Sequence, residues 1–81
     1  MQIDDLDIYS EELLNIVSIN VKKYREQKNI TQLELALEIG MSGSAYLGRA
    51  ELRKNNHHFN IKHIAKISKI LDIDICNFFK I

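Results

Sequence analysis

The chain has 81 residues, with 11 basic and 11 acidic side chains. This length allows one domain around a single core and is too short for that core plus a buried catalytic cleft. One cysteine and no long apolar run exclude a disulfide framework, a thiolate metal site, a membrane span and a signal peptide. We therefore expect a cytoplasmic protein without cofactor, metal or small-molecule substrate.

The zero net charge is the average of two opposed parts. Residues 1–12 contain five acids and no base, whereas residues 13–81 contain all eleven Lys and Arg with six acids, a net charge of +5. Most of the bases form three groups, which are Lys22, Lys23, Arg25 and Lys28; then Arg49, Arg53 and Lys54; then Lys62, Lys66 and Lys69. The first two groups are placed to contact phosphate if the segment between them binds nucleic acid. We interpret the third as a solvated helix face.

Helical periodicity begins at Ser10, which is a plausible N-cap. The next apolar residues follow at spacings of three and four and predict the buried stripe of a first helix, namely Leu14, Val17, Val21 and Tyr24. Residues 1–9 follow no single period, so an arm, a strand and a frayed turn stay open. We divide the chain into an acidic arm, residues 1–10, and a helical domain, residues 11–81.

The most informative segment runs from Thr31 to Ser42. Thr31 with Glu34 three residues later predicts a capping box at the start of a second helix, and Gly40 permits the left-handed residue that ends it. Ser42 or Ser44 is then a cap for a third helix, about residues 44–52. Two short helices so closely joined form a helix-turn-helix, the geometry that places a helix in the DNA major groove.

Two further helices are predicted after a polar loop. Asn60 is expected to cap a fourth helix, whose apolar face comprises Ile61, Ile64, Ala65, Ser68 and Leu71. Asp74 is expected to cap a short fifth helix, Ile75 to Phe79, in which Cys76 is interpreted as a buried hydrophobe. The apolar residues near this end predict a dimer interface of Ile73, Ile75, Phe78, Phe79 and Ile81. Closure of the monomer's own core explains any one of them equally well.

The segment from Val17 to Phe79 resembles the XRE family of helix-turn-helix regulators, which includes Cro and lambda-type repressors and restriction-modification controllers. Its signatures are Val21-Lys22-Lys23-Tyr24-Arg25, Thr31-Gln32 through Gly40-Met41-Ser42, Tyr46-Leu47-Gly48-Arg49-Ala50-Glu51, and Ile64-Ala65 to Leu71-Asp72-Ile73. The resemblance implies an all-α, five-helix, lambda-repressor-like domain of a bacterial or phage-encoded protein. It also implies a homodimer that binds a palindromic operator in double-stranded DNA and regulates transcription.

Two departures from the family pattern bear on the site. The spacing from Gln32 to Glu51 is one residue longer than usual, so the start of the third helix is not fixed. The usual glycine after the helix-three glutamate is replaced by Leu52-Arg53. Either the last turn ends differently or Asn55 supplies the left-handed residue.

The DNA-binding residues that we predict are Gln32, Ser42, Ser44, Ala45, Tyr46, Arg49, Arg53, Lys54 and Asn55. The resemblance gives Gln32 the role of a phosphate clamp at the start of a helix, or else it is a solvated residue. Arg49 is the candidate for a paired contact with guanine, with a phosphate contact or a surface ion pair as alternatives. The loop residues Arg53 and Lys54 are expected to hold phosphate. Tyr46 belongs either to this surface or to the core.

Other positions have structural or open interpretations. The family pattern implies an ion pair between Arg25 and Glu51. Gly48 allows close approach either to DNA or to the second helix. The three histidines lack metal-ligand spacing, and their partial protonation would tighten DNA binding below neutral pH.

The sequence bears on two other classes of function. No phosphate-binding glycine loop, nucleophile motif or metal cluster supports an enzyme. A protein-interaction module, such as an antitoxin component, is favoured by the absence of Lys and Arg between Asn29 and Gly48.

Overall fold

Helices account for all the regular structure of residues 3–81, the part that the computed structural model describes, with side chains from residue 4 onward. The α-helices are α1 (Ile3–Gln27), α2 (Gln32–Glu38), α3 (Ala45–Leu52) and α4 (Ile61–Leu71), and 3-10 helices span Lys54–Asn56 and Ile75–Phe79. The expected all-α class is confirmed for this range, while the expected fifth helix is a 3-10 helix. None of these helices combines the length and apolar character needed to cross a bilayer.

Helix α1 begins well before the expected start at Ser10. Ser10 is an interior residue, because its Oγ donates a hydrogen bond to the Leu6 carbonyl one turn earlier, at 2.9 Å. Asp4 and Asp5 occupy the first turn, where the helix dipole favours acids. Extending an existing helix adds one hydrogen bond per residue and needs no new nucleation step. The helix therefore begins on the N-terminal side of its first residue that is buried against the core. Residues 1 and 2 of the expected arm lie outside the described residues, and residues 4–12 are an exposed continuation of α1.

The core lies between the four α-helices and the second 3-10 helix. Its buried apolar side chains are Val17, Val21, Leu35, Ala36, Ile39, Leu47, Ala50, Phe59, Ile64, Ile67, Leu71 and Phe78. Of the stripe predicted for α1, Val17, Val21 and Tyr24 pack in or against this core, whereas Leu14 is half-buried. On α4 the buried line is Ile64, Ile67 and Leu71, whereas Ile61 and Ala65, which were expected on that face, are exposed. The buried face of α4 therefore includes Ile67 and excludes Ala65.

Local hydrogen bonds fix both ends of the helix-turn-helix. Thr31 and Glu34 form the expected capping box at α2, and Gly40 has φ +91°, the left-handed conformation that glycine accommodates. Ser44 occupies the N-cap position of α3 but makes no side-chain cap bond. Both endings that were expected for α3 occur. Arg53 ends the helix in the left-handed conformation, with φ 55°, and Asn55 adopts the same conformation two residues later, with φ 53°.

The carboxy-terminal segment is tied to α1. The Asn20 side-chain amide donates to the carbonyls of Phe78, at 2.9 Å, and Lys80, at 2.7 Å. The Phe78 ring is fully buried and packs edge-on against Tyr24 at 5.4 Å between centroids. Phe78 therefore has no surface to offer a partner, contrary to the expected dimer interface. The structure also corrects the expectation for Cys76, which is exposed.

Of the other residues expected at the dimer interface, Ile73 and Phe79 are partly buried against the core. Ile75 and Ile81 are exposed. The carboxy-terminal apolar residues thus divide between closing the monomer's core and forming free surface.

Helix α4 begins with a capping box that contains a histidine. The Asn60 side chain accepts from the His63 backbone N–H, and His63 Nδ1 accepts from the Asn60 backbone N–H at 3.2 Å. Burial, together with nearby Lys66 and His58, lowers the pKa of His63 below its ordinary value. The folded protein therefore prefers the neutral imidazole, whose Nδ1 lone pair completes the box.

This arrangement predicts a pH-dependent stability. The stabilising contribution is fully present above the ordinary histidine pKa of about 6.5 and is lost as the pH falls through the lowered pKa. His63→Gln keeps a side chain that can accept from the Asn60 backbone N–H but does not titrate, so it should flatten that pH dependence. Urea unfolding of wild type and variant at pH 7.5 and 5.0 measures it.

His58→Gln on the adjacent loop is the control and should leave most of the pH dependence in place. An unchanged pH profile in His63→Gln would contradict this role of the imidazole.

Candidate nucleic-acid interface

Helix α3 is held by one face and exposed on the other. Leu47 and Ala50 are fully buried, and the Ser18 hydroxyl donates to the Ala50 carbonyl at 2.8 Å. Ala45 and Arg49 lie on the exposed side. A short helix fixed in this way presents a rigid outer surface, as a recognition helix requires.

A buried hydrogen-bond network connects three helices at the end of α3. Arg25 on α1 donates to both carboxylate oxygens of Glu51, from Nε at 2.7 Å and from Nη2 at 3.0 Å. Its Nη1 donates to the Ile30 carbonyl at 2.9 Å. The Gln32 side-chain amide, at the start of α2, donates to Glu51 Oε1 at 3.0 Å. The three residues fix the starts and ends of these helices relative to one another.

The network is largely protected from water. Arg25 is 8% exposed and Glu51 is 6% exposed. The hydrogen-bonded Glu51 carboxylate raises the pKa of Arg25 above its ordinary value, so the guanidinium stays charged. The structure thus contains the ion pair that the family pattern implies, in the bidentate geometry that arginine forms best.

Gln32 is also the neighbour of Gly48. A Cβ added at Gly48 would lie 3.3 Å from Gln32 Oε1, tighter than ordinary contact. Of the two interpretations of Gly48, the geometry supports close approach between α2 and α3. Gln32, expected as a phosphate clamp, has its amide committed to Glu51, and its clamp role stays a prediction.

The exposed face of α3 and the preceding turn carry small side chains and one cation. Ser42 and Ala45 are exposed, and Ser44 is half-buried. Arg49 is exposed and has no hydrogen-bond or ion-pair partner among the described residues. Its guanidinium is free to meet an external acceptor.

Tyr46 belongs to an aromatic cluster instead of this face. Its hydroxyl donates to the His58 carbonyl at 2.8 Å, and its ring contacts those of His57 and His63 at centroid distances of 5.2 and 5.4 Å. The side chain is half-buried. This favours the core alternative and braces the start of α3 against the loop that precedes α4.

Arg53 is not available in the way that its sequence position suggests. Its Nε donates to Asn15 Oδ1 at 3.0 Å, its Nη1 to the His57 carbonyl at 2.8 Å, and its Nη2 is paired with Glu11. A phosphate contact by Arg53 would have to compete with these bonds. Lys54 and Asn55 in the next turn are exposed and keep their expected position beside α3.

Sequence reasoning missed two side chains that position the site. Ser18 was a polar residue inside the buried stripe of α1, at a spacing of three from Val21, and that placement was the available signal. The contact of Asn15 with Arg53 joins residues 38 positions apart and left no signal in the sequence.

A family model described as helix-turn-helix matches residues 21–78. The chain belongs to the XRE family of helix-turn-helix regulators. Comparisons with curated proteins and with solved structures gave no significant match. Membership of the family implies DNA binding and regulation of transcription.

The buried pair predicts a large loss of stability when one partner is removed. Arg25→Ala leaves the Glu51 carboxylate buried without its cation, and we expect a loss of about 3–5 kcal/mol in the free energy of unfolding. Chemical denaturation measures it. Arg49→Ala is the matched control, an exposed arginine without a partner, and should change stability by less than about 0.5 kcal/mol. Equal effects of the two substitutions would contradict the role of the network.

The contact between Gly48 and Gln32 predicts an interaction between two substitutions. Gly48→Ala alone should stabilise by less than the roughly 1 kcal/mol that helix propensity offers, because the new methyl displaces the Gln32 amide. With Gln32→Ala in the background the full gain should appear. A double-mutant cycle by denaturation measures the coupling. Purely additive effects of the two substitutions on the free energy of unfolding would contradict this prediction, because they would show that the Gln32 side chain moves aside without strain.

Proposed function

We propose that this helix-turn-helix domain binds a palindromic DNA operator as a homodimer and regulates transcription there. The outer face of α3 lies along base edges in the major groove, and the neighbouring turns contact the flanking phosphates. The single observation that carries the proposal is the free guanidinium of Arg49 on the exposed face of a helix whose opposite face is anchored.

Arg49 is suited to sequence-specific contact. A guanidinium donates two parallel hydrogen bonds to O6 and N7 of guanine, and this pairing discriminates against other bases. Ser44 and Ala45 precede it by one turn and allow a close approach to a base edge or a thymine methyl. The buried Arg25–Glu51 pair keeps the angle of α3 constant while Arg49 makes this contact.

The phosphate contacts are assigned to exposed groups beside α3. Lys54 and Asn55 follow α3 in the first 3-10 helix and reach the strand on one side of the groove. Gln32, at the start of α2, is on the other side and retains an amide hydrogen for a phosphate oxygen. Arg53 supports DNA binding mainly by holding the turn after α3 in place through its bonds to Asn15 and Glu11, and less by contacting DNA itself.

Two-fold pairing is part of the proposal. One recognition helix of eight residues makes few base contacts, and a dimer doubles them on a palindromic site. Ile73, Ile75, Phe79 and Ile81 stay the predicted carboxy-terminal part of its interface.

A protein-binding module with the same fold is the second candidate. Leu33 and Leu37 on α2 are 50% and 54% exposed, and the neighbouring charges are Glu34 and Glu38. An apolar, acidic α2 is less suited to lie against phosphate. Binding to duplex DNA of random sequence that does not weaken with salt, or no binding, would favour this candidate.

Two substitutions test the proposed contacts separately. An operator is first selected from a random duplex pool, and affinities are measured by fluorescence anisotropy over a range of salt concentrations. Arg49→Ala should lose about 1–3 kcal/mol on the operator and much less on random DNA. Lys54→Ala should weaken both DNAs alike and reduce the salt dependence by about one ion.

Lys62→Ala on the outer face of α4 is the control and should leave both affinities nearly unchanged. A larger effect of Lys62→Ala than of Arg49→Ala would place the DNA on α4 and contradict the proposal.

A further inference from the structure

The guanidinium of Arg53 closes the turn that follows α3. Its Nη1 donates to the His57 carbonyl, four residues later, at 2.8 Å, and this bond spans the segment that contains Lys54. Arg53, Asn55 and Asn56 all have positive φ in this turn. The bond across the turn therefore helps to hold a backbone that residues other than glycine seldom adopt.

Two residues of α1 bind the same guanidinium from outside the turn. Asn15 Oδ1 accepts from Nε at 3.0 Å, and the Glu11 carboxylate is paired with Nη2. Glu11 and Asn15 are four residues apart, so they lie one turn apart on the same face of α1. Both precede residues 21–78, the range of the family match, so this contact comes from an extension of the helix-turn-helix domain.

The three bonds of Arg53 differ in how readily another acceptor can replace them. The Arg53 side chain is 13% exposed, whereas that of Glu11 is 57% exposed. A guanidinium carries five N–H groups in a fixed plane, so Nη2 can exchange its partner while Nε and Nη1 keep theirs. A solvated ion pair of this kind contributes little stability. Glu11 is therefore a partner that Arg53 can lose without opening the turn.

The anion that the proposed function brings to this turn is a DNA phosphate. Lys54, the residue after Arg53, is exposed and is assigned a phosphate contact. Carboxylate and phosphate oxygens accept the same charge-assisted hydrogen bond from a guanidinium. The Glu11 carboxylate also repels a phosphate that approaches Nη2, because the two anions would lie side by side. Glu11 thus opposes DNA at this point in two ways.

We propose that Glu11 is an autoinhibitory residue, which competes with a DNA phosphate for Nη2 of Arg53. The bonds of Arg53 to Asn15 and His57 hold the turn during the exchange. Since a phosphate contact carries no sequence information, Glu11 lowers the affinity for duplex DNA of any sequence. The inference rests on the proposed function, because it requires duplex DNA beside the turn after α3.

The competing charge is tested by Glu11→Gln, which keeps the size of the side chain. Affinities for the selected operator and for random duplex DNA are measured by fluorescence anisotropy over a range of salt concentrations. Both should tighten by about three- to tenfold at about 0.1 M salt, and the salt dependence should steepen by about one ion.

Glu12→Gln is the matched control. It makes the same charge change on the next residue, which is exposed and has no ion pair among the described residues. Glu12 lies about 100° around the helix from Glu11, away from Arg53. The control should change either affinity by less than about twofold, because a solvated charge without a contact is screened by salt.

The dependence on Arg53 is tested by a double-mutant cycle. In an Arg53→Gln background, Glu11→Gln should have no more effect on either affinity than Glu12→Gln has. Urea unfolding of each variant verifies that the fold is retained.

Three outcomes would overturn this inference alone, provided that Arg49→Ala and Lys54→Ala behave as the proposed function requires. They are equal effects of Glu11→Gln and Glu12→Gln, weaker DNA binding by Glu11→Gln, and a gain that persists undiminished without Arg53. A wild-type chain that does not bind duplex DNA would overturn the proposed function and this inference together.

Discussion

The ion pair between Arg25 and Glu51 is the interaction on which the arrangement of this domain depends. It joins α1 to the end of α3, and Gln32 brings the start of α2 into the same network. Buried ion pairs contribute little net stability compared with apolar side chains of equal volume, but they are intolerant of a missing partner. Their geometry is also specific. The two bonds of Arg25 to the Glu51 carboxylate therefore restrict the position of the end of α3 relative to α1.

Around this network the helix-turn-helix is divided into a fixed side and a free side. Leu47, Ala50 and the hydrogen bond from Ser18 fix α3 from within, and Tyr46 braces its start. Arg49 remains on the free side. The division explains why a short helix with a glycine in it, at a cost of about 1 kcal/mol in propensity, still presents a defined surface. Rigidity comes from tertiary contacts and not from the helix itself.

Much of the fold was predictable because its signals are local. Capping at Thr31 and Asn60, the left-handed Gly40 and the apolar spacing in α1 depend on residues within one or two turns. The start of α1 was not predictable from apolar spacing, since the helix continues where no core faces it. The burial of Phe78 and the exposure of Cys76 were not predicted. Burial in this last segment depends on which side chain packs against Tyr24, and the local sequence does not specify that contact.

The candidate site shows the same division between local and distant signals. Arg25 and Glu51 were found only through the family pattern, which records a contact between residues 26 positions apart. Arg53 binds Glu11 and Asn15, which lie far from it in the sequence. Local patterns do not record such bonds, so Arg53 was expected to be free to contact phosphate. The exposure of Arg49 and Lys54 agrees with their sequence position, because both lie on surfaces that no other element covers.

The most direct test of the account is the map of backbone amide chemical shifts on titration of the full chain with its selected operator duplex. The account predicts the largest changes at residues 31–32, 42–49 and 54–56, with small changes along the outer face of α4. Changes centred on the lysines of α4, with the amides of α3 unaffected, would contradict it.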